Sequence, residues 1–89
     1  MIWQINLTEK VYKFFKKNQI PQEQIFEVIK KAIKKFQGES INVDIKKLKG
    51  IWADFYRIRK GEIRIIVKFD FDNLTVLVEE IDWRGNVYK

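Results

Sequence analysis

The four arginines of the chain, Arg57, Arg59, Arg64 and Arg84, all lie in its second half. Residues 50–89 add three lysines and seven acids and so carry no net charge, whereas residues 1–49 hold eleven lysines and five acids. A guanidinium group binds two phosphate oxygens at once and an ammonium group does not, so clustered arginines on a neutral background indicate phosphate contacts. Ordinary surface ion pairs with the neighbouring acids explain the same composition equally well.

Alternation along two predicted strands places three of these guanidiniums together. With Tyr56 and Ile58 turned inward, Arg57 and Arg59 face outward, and Arg64 in the next strand stands beside them. Like charges at such a distance repel each other unless an anion lies among them. We therefore expect either a phosphate or nearby carboxylates at this patch.

The acids and the tail offer fewer indications. Glu79 or Glu80 are the candidate carboxylates for the patch, although adjacent residues on a regular strand face opposite sides and make a poor paired-carboxylate site. Arg84 and Tyr88 lie four residues apart beyond the last strand. A terminal aromatic residue packs into a core as often as it serves in catalysis, and spacing alone does not decide between the two.

Two amphipathic helices are predicted in the first half of the chain. A short strand over 2–7 comes first, and Thr8 then looks like the N-cap of a helix over 8–17. Pro21 suits the first turn of a second helix that ends at Gly38. Apolar residues recur in both at intervals of three and four, so we expect an antiparallel hairpin that covers one apolar surface.

The second half has the period of a sheet. After a loop over 40–50, alternation predicts strands over 53–59, 63–71 and 74–81, joined by tight turns. Three such strands form an antiparallel meander, and the helix hairpin must lie on its apolar face. The predicted fold is α+β with the order β-α-α-β-β-β, in one domain over residues 1–89.

Composition excludes several kinds of chemistry. The chain has no Cys and no His, which removes disulfides, thiolate or imidazole metal sites, cysteine nucleophiles and histidine acid-base catalysis. No glycine-rich phosphate loop, zinc signature, serine nucleophile elbow or aromatic-basic RNA motif is present, and we expect no metal and no cofactor. The first residues show no cationic segment ahead of an apolar run, and no apolar stretch approaches the roughly 20 residues that span a bilayer. We therefore expect a cytoplasmic protein without membrane contact.

Four short motifs follow one another between residues 47 and 88: L-x-G at 48–50, Y-R-I-R at 56–59, G-x-x-R at 61–64 and R-x-x-V-Y at 84–88. The set resembles that of the RelE/ParE toxin superfamily, while the helical half agrees in layout rather than in motif. The resemblance implies a microbial-ribonuclease-like β-α-α-β-β-β fold, the same order as the periodicity predicts.

The resemblance also implies a function. RelE-like toxins of type II toxin-antitoxin systems cut messenger RNA in the ribosomal A site without metal, by attack of a 2′-OH on the adjacent phosphate. The implied partners are a cognate antitoxin, the ribosome with its mRNA, and operator DNA through the antitoxin alone. For the antitoxin we expect apolar anchoring at Tyr12 and Phe15, between the helix hairpin and the sheet.

Site roles carry over residue by residue. Arg57 and Arg59 take the positions of the basic pair beside the scissile phosphate, and Arg64 takes that of the arginine that stabilises the transition state. Tyr88 takes the place of the C-terminal tyrosine, a base if guanidiniums lower its pKa from about 10. Arg84 fits the basic residue of the final turn.

The chain departs from the family pattern at two positions. Some relatives have a lysine where Arg59 stands, and an arginine donates protons poorly, which leaves the leaving-group acid unassigned. Many relatives have a histidine where Trp83 stands. Two alternatives stay open: a ParE-like DNA gyrase inhibitor without ribonuclease activity, and an inactive module that binds the antitoxin and operator DNA.

Overall fold

The computed structural model describes residues 2–83, which form two helices and a five-stranded sheet. In chain order the elements are β1 (Gln4–Leu7), α1 (Glu9–Asn18), α2 (Gln22–Phe36), β2 (Asp44–Lys47), a short 3-10 turn (Gly50–Trp52), β3 (Tyr56–Lys60), β4 (Ile63–Asp70) and β5 (Thr75–Trp83).

The sheet has the strand order β1-β5-β4-β3-β2. Strand β1 runs parallel to β5, and the other three neighbouring pairs are antiparallel. The predicted α+β class and the meander in the second half are confirmed. The parallel pair is an addition, and it follows from the helix hairpin, which carries the chain across the sheet before β2 begins.

Helix boundaries agree with the local signals. Thr8 is the N-cap of α1, where its hydroxyl accepts a hydrogen bond from the Val11 backbone N–H at 3.4 Å. Pro21 stands one position before α2 rather than inside it. The turn after α2 uses Gly38 at φ +97°, a left-handed conformation that glycine adopts without a Cβ clash.

The interval 40–50, predicted to be a loop, contains the edge strand β2, so that expectation was wrong. Its four residues pair with β3 in antiparallel register, Asp44 opposite Arg59 and Lys47 opposite Tyr56. Three of the four are exposed, so the segment shows no apolar alternation that periodicity could detect.

One face of the sheet packs against both helices and holds the core. The apolar stripes of α1 and α2 are buried there, as their spacing predicts. The members of this core are Val11, Phe15, Ile25, Val28, Ile29, Ala32, Ile33, Val43, Ile58, Ile63, Ile65, Val67, Val76, Val78 and Ile81. Within residues 2–83, α1 and α2 pack on the core face of the sheet, and the arginines lie on its opposite face.

A β-bulge interrupts the pairing of β4 with β5. Ile66 lies opposite Glu80 and Val67 opposite Val78, so Glu79 is an extra residue in β5. Core positions on β5 change from even to odd across it, from Val78 to Ile81. The expected alternation of Glu79 and Glu80 between the two faces was therefore wrong, because neither belongs to the core-facing series.

Neither helix in the described part of the chain is long and apolar enough to cross a membrane.

Candidate active site

A tight hairpin sets the register of the arginines. Strands β3 and β4 are joined by the two residues Gly61 and Glu62, with Gly61 at φ +59°, a left-handed conformation of the kind that two-residue hairpins require. This turn places Arg59 directly opposite Arg64, while Ile58 and Ile65, at the neighbouring positions, face the core.

The structure therefore brings Arg57, Arg59 and Arg64 to the same face of the sheet, the one opposite the helices, as alternation predicts. Arg84 and Tyr88, the other two residues of the predicted site, lie outside the described residues.

The carboxylate that accompanies these arginines comes from the unexpected strand β2. One Oδ of Asp44 accepts a hydrogen bond from Arg57 Nη1 at 2.8 Å, and its other Oδ lies 3.8 Å from Arg59 Nη1. Across the four strands the pairing gives a row of four charged residues, Asp44, Arg59, Arg64 and Asp82. We call this row the arginine row.

Exposure separates the three arginines. Arg57 lies on the predicted face but is 7% exposed, so the expectation of an outward, open guanidinium was wrong for this residue. The physical reason is its bond to Asp44, which compensates the buried charge. The Arg59 side chain is 35% exposed, and Arg64 is half-buried.

Arg59 and Arg64 each hold an unused donor. The Nε atoms of both guanidiniums are buried and have no hydrogen-bond partner among residues 2–83. Buried polar groups are usually satisfied, and a bound ion or a catalytic role is among the explanations for an exception. Two neighbouring guanidiniums with unsatisfied donors form a cationic surface suited to an oxyanion such as a phosphate diester.

The floor beside the arginine row is apolar. Ile66 is fully buried although it lies outside the core cluster and directly opposite Arg57 on the arginine face. An apolar, water-poor floor strengthens the interaction of nearby charges with a bound anion. Sequence reasoning missed this role, and the available signal was an isoleucine at a position where its neighbours Arg64 and Lys68 are charged.

One of the two glutamates expected near the arginines, Glu80, makes its ion pair with a helix instead. Glu80 makes a short ion pair with Lys10 of α1, and its hydrogen bond raises the pKa of the Lys10 ammonium above the ordinary value. This contact joins α1 to the part of β5 beyond the end of β1. The acid at the patch is therefore Asp44, and the prediction that Glu79 or Glu80 would fill this place was wrong for Glu80.

Aromatic residues lie farther along the same face. Phe55 precedes β3 at the same alternation as Arg57, and its ring packs edge-on to Trp52 with centroids 5.2 Å apart. The Lys68 ammonium lies 5.9 Å from the centroid of the Phe55 ring. Proteins that bind single-stranded nucleic acids commonly combine aromatic rings, on which bases stack, with cations, which contact the phosphates.

Metal-ligand groupings are lacking in the part of the chain that the structure describes. Residues 2–83 contain no group of three or more His, Cys, Asp or Glu side chains able to hold a metal ion.

Comparisons with known proteins define the class of fold. No family model matches the sequence, and no curated protein matches it either. Solved structures do match, among them a RelB-RelE antitoxin-toxin complex and a metal-bound toxin. The chain has the RelE-like fold.

Three of these structures cover nearly the whole chain. A metal-bound toxin from Helicobacter pylori has a TM-score of 0.71 at 15% identity, with 98% of this chain and 100% of that chain covered. YafQ from E. coli has a TM-score of 0.68 at 11% identity, with coverages of 99% and 100%. The RelB-RelE antitoxin-toxin complex from Methanococcus jannaschii gives 0.63 at 24% identity, with 93% and 94% covered.

Proposed function

We propose that this protein is the toxin of a type II toxin-antitoxin pair and acts as a ribosome-dependent endoribonuclease on messenger RNA in the cytoplasm. The observation that carries the proposal is the paired Arg59 and Arg64, with their unsatisfied donors, on the helix-free face of a RelE-like fold. The motifs that resemble those of the RelE toxins contribute both of these arginines.

The chemistry assigned to the site is metal-independent cleavage of a phosphodiester. The 2′-oxygen forms a bond to the adjacent phosphorus, a base takes its proton, and the bond to the 5′-oxygen breaks after that oxygen gains a proton. The products are a 2′,3′-cyclic phosphate and a 5′-OH. Negative charge accumulates on the equatorial oxygens in the transition state, where Arg59 and Arg64 stabilise it.

The remaining roles rest on the resemblance. Tyr88 is the proposed base, and Arg84 is the proposed basic residue of the final turn. Neither Arg59 nor Arg64 is a proton donor at neutral pH, since a guanidinium does not lose its proton there. The group that protonates the 5′-oxygen is therefore sought in the ribosome rather than in the arginine row.

The proposed partners also rest on the resemblance to the RelE toxins. A cognate antitoxin holds the toxin off ribosomes, and operator DNA is contacted through that antitoxin. Of the two expected anchors for the antitoxin, Tyr12 is half exposed and available, whereas Phe15 is 3% exposed and belongs to the core. Phe15 is therefore not proposed as a contact.

Translating ribosomes with a defined message test the proposal. Wild-type protein is expected to produce cuts within A-site codons, and the downstream fragments should become ligatable only after 5′-phosphorylation. Arg64→Ala should lower the single-turnover rate by at least about 100-fold, the usual effect of removing one transition-state donor. Lys31→Ala, on the exposed side of α2, removes the same charge far from the site and should cut like wild type.

Three outcomes would overturn the proposal. One is intact mRNA with active ribosomes. Another is an Arg64→Ala variant that is folded and cuts at the wild-type rate. The third is inhibition of DNA supercoiling by gyrase in place of RNA cleavage, which would support the ParE-like alternative. None of the structures named above carries the name ParE.

A further inference from the structure

The three arginines differ in how closely each is paired with the carboxylate of Asp44. Arg57 is the one charged residue among positions 2–83 that is buried, and its Nη1 donates to Asp44 at 2.8 Å. A buried guanidinium that left this carboxylate would lose its counter-ion, a large penalty in a region of low dielectric constant. Arg57 is therefore held by the fold.

Arg59 is compensated less completely. The second oxygen of Asp44 lies 3.8 Å from Arg59 Nη1, beyond hydrogen-bond distance, and the Arg59 side chain is about one third exposed. One carboxylate thus bridges two guanidiniums, tightly on the Arg57 side and loosely on the Arg59 side. The loose side is the one a phosphate can reach.

Arg64 has no acid within ion-pair distance among residues 2–83. Asp82 lies opposite it in register, but the Asp82 carboxylate accepts the Trp83 backbone N–H at 2.7 Å and makes no ion pair with Arg64. The two acids at the ends of the arginine row therefore differ: Asp44 binds arginine, and Asp82 binds backbone.

We infer that Asp44 is a positioning residue: it holds Arg57 in a structural ion pair, orients Arg59, and competes with the incoming phosphate for Arg59. Of the three arginines, only Arg59 and Arg64 then bind the substrate. The inference rests on the proposed function for the identity of the anion. It departs from the role that the resemblance implies for Arg57, which is here a support for the site.

Asp44→Asn separates charge from shape. The amide oxygen still accepts from Arg57, while the competing negative charge beside Arg59 disappears. Asp72→Asn is the matched control, because it changes the net charge equally in the exposed turn after β4, at the opposite end of that strand from Arg64. The probe is a short RNA with 2′-O-methyl groups, which lacks the nucleophile and is bound but not cut.

Asp44→Asn is expected to bind this RNA about 3- to 10-fold more tightly than wild type. Asp72→Asn should change the affinity little, since solvent and salt screen an exposed charge that lies far from the arginine row. On ribosomes, the single-turnover rate of Asp44→Asn should fall by about 10-fold or more, because the Arg59 guanidinium is no longer oriented by the carboxylate. Tighter binding with slower cleavage is a combination that loss of folding cannot produce.

A charge-neutral pair of substitutions gives a second test. Asp44→Asn with Arg57→Met removes both charges of this ion pair, so that no buried guanidinium is left without a counter-ion. The double variant should bind the 2′-O-methyl RNA at least as tightly as wild type, because Arg57 is not a ligand. If Arg57 gripped phosphate, affinity would fall about 10-fold or more.

Three results would overturn the inference. The first is unchanged or weaker RNA affinity in folded Asp44→Asn, and the second is a loss of affinity in the double variant. The third is that neither the wild type nor any variant binds the RNA. The binding results do not depend on cleavage. An absence of cuts on ribosomes, with the expected pattern of affinities, would overturn the proposed function and leave the role of Asp44 in anion binding intact.

Discussion

Arg57 and Arg59 show how neighbouring residues of one type can serve differently. They lie two positions apart on one strand and on one face, yet one is buried and the other is about one third exposed. A single carboxylate on the neighbouring strand, Asp44, also treats them differently, since it accepts a hydrogen bond from Arg57 and makes a longer contact with Arg59.

Stability should respond asymmetrically to the two halves of this pair. Asp44→Ala leaves a buried guanidinium without a counter-ion and should lower the free energy of unfolding by about 3 kcal/mol. Arg57→Met leaves a half-exposed carboxylate that water can solvate, so about 1 kcal/mol is expected. Urea unfolding of both variants measures the difference.

Asp72→Ala serves as the control for that experiment and should change stability by less than about 0.5 kcal/mol, as exposed substitutions usually do. Equal losses for Asp44→Ala and Arg57→Met would mean that burial of Arg57 does not determine the energetics of the pair.

Alternation along β3 was enough to predict the face on which the arginines lie. It was not enough to predict the ion pair of Arg57, because its partner Asp44 belongs to β2, whose four residues are mostly exposed and show no strand pattern. The sequence therefore identified which side chains share a face, and the contact across the strand decided how accessible each of them is.

At the scale of elements, the amphipathic helices and the three meander strands were predictable because each buries one periodic stripe. The exceptions were local departures from a regular period. Strand β2 lacks the period, and the bulge at Glu79 shifts it within β5. Such a shift depends on the pairing of two strands, which the residues of one strand do not encode.

The turn between β4 and β5 carries a titratable hydrogen-bond acceptor. The Asp70 carboxylate accepts hydrogen bonds from Asn73 Nδ2 at 2.8 Å and from the Asn73 backbone N–H at 3.1 Å. Both bonds lower the pKa of Asp70 below its ordinary value of 3.8, and the side-chain bond has the larger effect. The carboxylate is thus favoured by folding, and its contribution to stability is present above pH 3.8 and lost as the pH falls through the lower folded value.

Asp70→Ala should therefore destabilise the protein more at pH 6 than at pH 2.5, in urea unfolding at both values. Asp72→Ala removes an exposed acid of the same turn without touching the Asn73 bonds, and it is the control. A destabilisation by Asp70→Ala that is the same at both pH values would show that the turn does not depend on ionised Asp70.

The whole molecule carries a formal net charge of +6, with exposed lysines on the outer side of α2 and the arginines on the opposite face of the sheet. Contacts with RNA phosphates release counterions and weaken steeply as salt rises, whereas apolar contacts do not. The two proposed partners should therefore differ in their response to salt.

Between about 50 and 200 mM salt, affinity for ribosomes should fall by at least about 10-fold. Affinity for the antitoxin should change less, since apolar side chains such as Tyr12 are expected to contribute to it. Titrations of both complexes over this range measure the two slopes. Equal slopes would show that the antitoxin is also held mainly by charge.

The α+β class could be predicted at this scale because the change of period from helix to strand divides the chain into two halves. The pairing of β1 with β5 could not be predicted, because the residues of a strand do not indicate which distant strand lies beside it.

That pairing also orders events during synthesis. Gln4 lies opposite Thr75, and the Thr8 hydroxyl donates to the Glu79 carbonyl 71 positions away, so an early strand is completed by a late one. Contacts of such high separation form slowly, after the local hairpins. A nascent chain still lacking β5 has no neighbour for β1 and no second support for β4, which holds Arg64. The five-stranded sheet therefore forms only after the ribosome has translated the codons of β5, and a message truncated before them yields at most the pairings among β2, β3 and β4.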